Sequence, residues 1–331
     1  MNVKFPSHMT LNNKYVQFNI EKYASNVINI DNTDYLPYYL DNENPGNKGS
    51  NSFIIKLIKV DNFDDEIGYP ENPDCIMKIC KRHKKRYDEE DSSRFSTEIN
   101  ALKDCNEKLL QNVVKVHHSG VAKIYSKSKN KYFDYRFYTM DYAESDLSFY
   151  LENKNMSLFD RVGLCIEICE SLNQLRTLGY YHRDIKPDNI LFIDNKWMIS
   201  DLGLVDNMND DVKHDLEKEW IGPRGWMSPE AMNKFLTEAK PWEELFDCNI
   251  DHQSDIYQLG KVLWFILQGN TPEGGIRRGD FLWKNEQIYQ TVRTMLNQSK
   301  SKRYNKIQEV IDDLKRGYKK IFKKDDYFLY N

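Results

Sequence analysis

The stretch Tyr181 to Phe192 reads YHRDIKPDNILF and sets a carboxylate (Asp184), an ammonium (Lys186) and a side-chain amide (Asn189) between apolar flanks. Further on, SDLGL places a second carboxylate, Asp201, just before Gly203. A carboxylate able to take or orient a hydroxyl proton, an ammonium close by and two hard oxygen donors suit the movement of a highly charged group. Hard oxygens are what magnesium asks for, and phosphoryl transfer needs positioning and charge neutralisation more than covalent help. Gly203 lets the backbone turn sharply beside Asp201. A lone Asp or His is usually structural, whereas several polar positions at fixed spacing within one loop are not.

The pattern HRDxKxxN followed by a D-L-G turn resembles the catalytic loop and metal-binding turn of the eukaryotic-type (Hanks-type) protein kinases, with a Ser/Thr-like loop. The resemblance implies that Asp184 accepts or orients the substrate hydroxyl and that Lys186 offsets charge at the moving phosphate. It also implies that Asn189 and Asp201 hold Mg2+ or Mn2+, and that the fold is α+β, with a small β-rich lobe, a larger helical lobe and ATP in the cleft they form.

Those residues need elements to position them. Cys75 to Cys80 reads as an apolar strand with Lys78 inside it, and a buried ammonium needs an anionic partner. This resembles the kinase strand whose Lys contacts the ATP phosphates. In Ser93 to Lys108, Phe95, Ile99 and Leu102 recur at helical spacing, and Glu98 resembles the Glu that pairs with that Lys; Glu90 and Glu107 are its alternatives. From Gly46 the chain reads GNKGSNSFIIKLIKV, which in the best register puts Asn47, Gly49, Ser52 and Ile54 on the positions of the kinase glycine-rich loop. Only Gly49 keeps the glycine, a departure that bears on phosphate grip and nucleotide affinity, although the small residues Gly49, Ser50 and Ser52 still permit close backbone approach; Ile54 would cover the adenine. Arg136 to Ala143 resembles the strand entering the hinge, with Met140 behind the adenine and the backbone of Asp141 to Ala143 at its edge. Ile76 and Leu191 complete the implied nucleotide contacts. Asp61 to Asp74 reads as a long loop, and the basic run Lys81 to Arg86 as a solvated face.

Downstream, Asp146 to Leu151 and Leu158 to Leu178 have helical periodicity, with Gly179 as a stop. The run IGPRGWMSPE resembles the end of an activation segment, in which Glu230 would pair with Arg303. Asp255 to Gly260 resembles the start of the central helix of the large lobe, with Asp255 accepting bonds from the catalytic-loop backbone and Val262 to Leu267 buried all round. Thr271 to Lys284 reads as loop and Ile307 to Phe322 as an amphipathic helix. Lys186 is the Ser/Thr pattern, while Pro223 stands where Ser/Thr kinases usually keep a Thr bridging the catalytic Asp and Lys, and with Trp226 and Met227 is closer to tyrosine kinases. In kinases with an Arg before the catalytic Asp, as Arg183 is here, a phosphate on the activation segment usually pairs with it. Leu204 to Met227 contains no Ser, Thr or Tyr but carries Asp206, Asp210, Asp211, Asp215, Glu217 and Glu219, so Glu217 or Glu219 is expected to supply the anion.

The 331 residues carry 40% hydrophobic and 30% charged side chains and a net charge of -4, which gives no global basic footprint for nucleic acid. No apolar run approaches about 20 residues and no signal peptide is seen. Six cysteines are scattered singly, so a reducing, cytoplasmic setting is expected. The expected organisation is an extension at 1–44, a small lobe at 45–142 and a large lobe at 143–331. The expected activity is transfer of the ATP γ-phosphate to Ser/Thr of protein substrates. A pseudokinase acting as a nucleotide-binding module and a small-molecule phosphotransferase of related fold are the alternatives.

Overall fold

The computed structural model describes residues 9–11, 14–16, 28–38, 52–64, 66–68, 70–83, 94–126, 131–208, 215 and 220–321. The chain forms two compact units, residues 1–106 with 114–144, and residues 107–113 with 145–331.

In the first unit, β1 (Met9–Leu11) and β2 (Lys14–Val16) form a hairpin. A six-stranded antiparallel sheet holds β3 (Ile28–Ile30), β4 (Thr33–Tyr38), β5 (Ser52–Lys59), β6 (Cys75–His83), β7 (Ser119–Ser126) and β8 (Lys131–Met140), in the order β3-β4-β5-β6-β8-β7. Helix α1 (Arg94–Glu107) follows β6. Alternation sorts the strands into two faces. Phe53, Ile55, Leu57, Met77 and Ile79 pack into one buried cluster. Ile54 pairs with Lys78 and Lys78 with Tyr138, while Lys56 pairs with Ile76 and Ile76 with Met140, so these six share the opposite face.

β3 and β4 lie in the stretch expected to be an extension at 1–44, so the expected edge between 44 and 45 falls between two hydrogen-bonded strands, β4 and β5. The turn joining β3 to β4 is Asp31-Asn32, with φ of 47 and 64. Two consecutive positive φ values are what a tight hairpin turn requires. Asp and Asn tolerate them better than other non-glycine residues. Pro37 inside β4 disguised the strand.

The second unit contains β9 (Ser145–Asp146), α2 (Leu147–Asn153), α3 (Leu158–Thr177), β10 (Tyr180–Tyr181), β11 (Ile190–Ile193), β12 (Lys196–Ile199) and β13 (Asp206–Asn207). These are followed by α4 (Pro229–Thr237), α5 (His252–Gln268), α6 (Glu286–Met295) and α7 (Ile307–Ile321). Ser157 caps α3 by accepting from the Asp160 N–H, and Gly179, at φ 87, ends it. That stop releases the chain into β10 and the loop beyond.

α5 is the central element. Asp251 and Ser254 close a capping box at its start and Gly269 adopts the left-handed cap at its end. Ile256, Leu259, Val262, Leu263, Ile266 and Leu267 are all buried. Gly260 is required by packing, since a Cβ there would lie 2.8 Å from Met295 Cβ on α6. No disulfide joins the six cysteines, five of which are buried; burial pushes the Cys165 and Cys169 thiols well up. Among the described residues, no helix is long and apolar enough to cross a membrane.

Candidate active site

In the second unit, the loop after β10 is held from α5. The Asp255 carboxylate accepts the N–H groups of His182 and Arg183, both at 2.8 Å. The His182 ring, 1% exposed, reaches the Ser200 carbonyl at 3.1 Å, next to Asp201. Burial pushes the His182 pKa down and favours the neutral ring. Arg183 and Asp201 both have left-handed backbones, at φ 66 and 56. Such strain in non-glycine residues persists only where the surroundings over-determine it, and it concentrates at working sites.

Asp184 sits at the centre of this loop with its side chain 14% exposed. Asn189 Nδ2 donates to both the carbonyl and Oδ2 of Asp184 at 2.8 Å, and Lys186 Nζ stands 3.6 Å from Oδ2. Burial pushes the Asp184 pKa up to about 6; the Asp201 charge adds to the rise, and Lys186 and Asn189 oppose it. The carbonyl of Asn189 accepts from both the N–H and the hydroxyl of Ser200, at 2.9 and 3.0 Å, which ties the turn before β11 to the residue that follows β12 and precedes Asp201.

The donor set fits a hard divalent cation. The Asn189 amide nitrogen is committed to Asp184, so its Oδ1 is the atom that could ligate such a cation, and Asp201 could add carboxylate oxygens. A cation would also relieve the mutual repulsion of Asp184 and Asp201. Leu191 lies on β11, half-buried and paired with Met198.

In the first unit, Lys78 Nζ lies 2.7 Å from Glu98 Oε1, and both side chains are buried. Tyr138 donates its hydroxyl to the same Glu98 oxygen at 2.9 Å, and its ring lies 5.7 Å from the Lys78 ammonium. Ile76 and Met140 are buried partners on adjacent strands, Ser52 is buried and Ile54 half-buried on β5. Asp141 follows Met140 and bonds His117 at 2.6 Å, which holds its carboxyl below, and the His117 ring above, their ordinary pKa values. Ala143 follows in the same segment. Asn47, Gly49 and the alternative Glu90 lie outside the described residues.

Two carboxylates of the stretch after Asp201 meet the Arg183 side chain. Nη2 donates to both oxygens of Asp215 at 2.6 Å, and Nη1 lies 3.0 Å from Asp206 Oδ2. Glu217 and Glu219 lie outside the described residues. Glu230 and Arg303 form a doubly hydrogen-bonded pair at 2.8 and 2.9 Å. The remaining N–H groups of Arg303 go to the carbonyls of Gln253, Asn297 and Gln298, so all five donors are used. Sequence reasoning missed Gln258, Tyr138 and Ser200. Only Gln258 carried a signal, since it lies three residues after Asp255 and shares its helix face.

A family model described as the protein kinase domain matches residues 71–326. The chain is 26% identical over 164 residues to the dual specificity protein kinase Ttk of Danio rerio, covering 47% of this chain and 16% of that protein. It is 29% identical over 181 residues to the serine/threonine-protein kinase cds1 of Schizosaccharomyces pombe, covering 54% and 35%. It is 30% identical over 140 residues to the MAP kinase-interacting serine/threonine-protein kinase 2 of Xenopus laevis, covering 39% and 28%. The matches thus span between 16% and 35% of these curated relatives. The β-rich first unit and helical second unit are those of the two-lobed α+β kinase fold, and with most of its length matched the chain belongs to the protein kinase domain family.

Proposed function

We propose that this chain transfers the γ-phosphate of ATP, with Mg2+ or Mn2+, to serine or threonine hydroxyls of protein substrates. The observation that carries this reading is the environment of Asp184: a half-buried carboxylate with a raised pKa, oriented by Asn189 and flanked by Lys186. A base with a pKa near the working pH combines the right protonation state with driving force for proton transfer.

Asp184 orients and accepts the proton of the incoming hydroxyl. Lys186, on the same loop, offsets the negative charge that develops as the phosphoryl group moves. Asn189 and Asp201 hold the cation, which when bound neutralises phosphate charge. Lys78, fixed by Glu98 and Tyr138, presents its ammonium to the nucleotide phosphates, and Ile54, Ile76, Met140 and Leu191 are assigned to the adenine. Residues 45–142 and 143–331 serve as the two lobes, with residues 28–38 joining the small lobe through β3 and β4. The buried thiols suit a reducing cytoplasm.

The relatives named as serine/threonine or dual specificity kinases support this choice of acceptor, as does Lys186. Pro223 favours a second reading, transfer to tyrosine. Incubation with labelled ATP, magnesium and generic protein substrates, followed by phosphoamino-acid analysis, decides: phosphoserine or phosphothreonine is expected, and phosphotyrosine alone would reverse the assignment. Asp184→Asn should lower transfer by about 10²–10⁴-fold while nucleotide binding survives; undiminished transfer in that variant would remove Asp184 from the mechanism.

A further inference from the structure

The N–H of Ile185 donates to Oε1 of Gln258 at 3.0 Å, and Nε2 of Gln258 donates to the carbonyl oxygen of Arg183 at 3.1 Å. One amide therefore grips the backbone on both sides of Asp184. Gln258 is 1% exposed, so water does not compete for either bond. A primary amide suits the place because it accepts through one atom and donates through its neighbour.

Asp255 and Gln258 lie three residues apart on one face of α5. Between them they hold both polar backbone groups of Arg183: Asp255 takes its N–H and Gln258 binds its carbonyl. Arg183 is the residue with φ 66, and its unfavourable conformation sets the direction in which the next side chain leaves the loop.

The segment before Pro223 packs against the same amide. Gly222 has φ +109, and a Cβ there would lie 3.1 Å from Gln258 Nε2 and 3.3 Å from the Arg183 carbonyl oxygen. Pro223 itself offers neither a hydroxyl nor an N–H. Asn189 holds the Asp184 carboxylate itself, and Gln258 is where the buried bonds to the backbone on either side converge.

We propose that Gln258 is a positioning residue for Asp184: by clamping Arg183 and Ile185 it fixes the carboxylate in place of the hold that Pro223 cannot give. This rests on the reading of Asp184 as the group that orients the substrate hydroxyl. The test uses the full chain with Gln258→Leu, which removes both bonds at similar volume. It also uses Gln258→Glu, which keeps an acceptor for Ile185 but turns an acceptor on the Arg183 carbonyl.

Each variant is assayed for kcat and for KM of ATP with magnesium and a generic protein substrate, beside wild type and Asp184→Asn, with thermal melting to establish the folded fraction. Misplacement of a reacting group by about 1 Å costs on the order of 10²-fold, so kcat should fall by about 10- to 100-fold in both variants. KM for ATP should stay within about twofold, since the clamp orients the carboxylate rather than binding ATP.

Wild-type kcat in either folded variant, a loss confined to KM, or failure of both to fold would overturn the inference. If only one folds, its kcat decides. An inactive wild type would bring down the functional reading and this inference together. An active wild type with a dead Asp184→Asn and an unaffected Gln258→Leu would bring down this inference alone.

Discussion

The Arg183 side chain is 2% exposed and its charge is met by Asp215 and Asp206, both from the segment after Asp201. Consider Asp215→Asn. The change removes the charge that both Nη2 contacts meet at 2.6 Å, while Asp206 stays at 3.0 Å from Nη1. Breaking a buried ion pair outright costs about 3–5 kcal/mol. With the second carboxylate in place, the loss is closer to that of a charged hydrogen bond, about 1.5–3 kcal/mol. At about 1.4 kcal/mol per factor of ten, the equilibrium that holds Asp215 at Arg183 shifts by about 10- to 150-fold.

The family's usual device puts a phosphate of about 1.5–2 charges here, but residues 204–227 contain no Ser, Thr or Tyr to carry one. Activity should therefore be insensitive to phosphatase and fall by about 10- to 100-fold in Asp215→Asn, read as kcat/KM on a generic protein substrate. The double variant Asp206→Asn with Asp215→Asn should fall further, because it leaves the buried guanidinium without either carboxylate. Full activity in the double variant, or a large loss on dephosphorylation of wild type, would refute the reasoning.

With Asp184 raised to about 6, kcat/KM should drop about tenfold per unit below that pH, because the protonated acid cannot accept the hydroxyl proton. Lys186→Met should move this limb upward, since Lys186 lowers the Asp184 pKa; a limb that stays put would contradict the assignment. Glu230→Gln leaves the buried Arg303 charge without its counter-ion and should cost about 3–5 kcal/mol of stability in urea unfolding. Gly260→Ala should cost about 1–3 kcal/mol because Met295 Cβ would stand 2.8 Å from the new methyl; an unchanged unfolding midpoint would mean that α6 moves aside freely.

Much of this site was legible because its chemistry is confined to one loop and one turn. Asp184, Lys186, Asn189 and Asp201 announce themselves through fixed local spacing, and Lys78 through being a cation inside an apolar strand. Helical periodicity gave the helix, and the resemblance, in whose register it sits best, favoured Glu98 over Glu90 and Glu107. What the sequence could not disclose were partners brought in by distant elements. Asp215 and Asp206 are indistinguishable in type from the other carboxylates of an acid-rich segment. Only their placement beside Arg183 selects them, while Glu217 and Glu219, expected on charge alone, lie outside the described residues. Tyr138 reads as one more alternating aromatic on β8 until the sheet register sets it beside Lys78. The strands at 28–38 were hidden for another reason: a proline and two tyrosines weaken the alternation, and the Asp-Asn turn is recognisable only once its two positive φ values are seen.

Arg183 joins the two supports of the loop. Its backbone N–H and carbonyl are held by Asp255 and Gln258 of α5, and its two terminal nitrogens by Asp206 and Asp215. Only Nε is left, buried and with no hydrogen-bond partner among the described residues. Backbone and side chain of one residue are thus fixed independently, the first by the core helix and the second by the acidic segment. The two holds differ in kind. The bonds from α5 belong to the fold and persist as long as the second unit does. The carboxylates hold by charge, Asp206 from β13 and Asp215 from beyond it. Loss of the clamp should therefore misdirect Asp184, whereas loss of the carboxylates should free the Arg183 side chain while Asp184 keeps its direction. The former appears in kcat alone, the latter in the binding of protein substrate as well. The two kinetic signatures separate positioning by the core from ordering by charge at the same arginine.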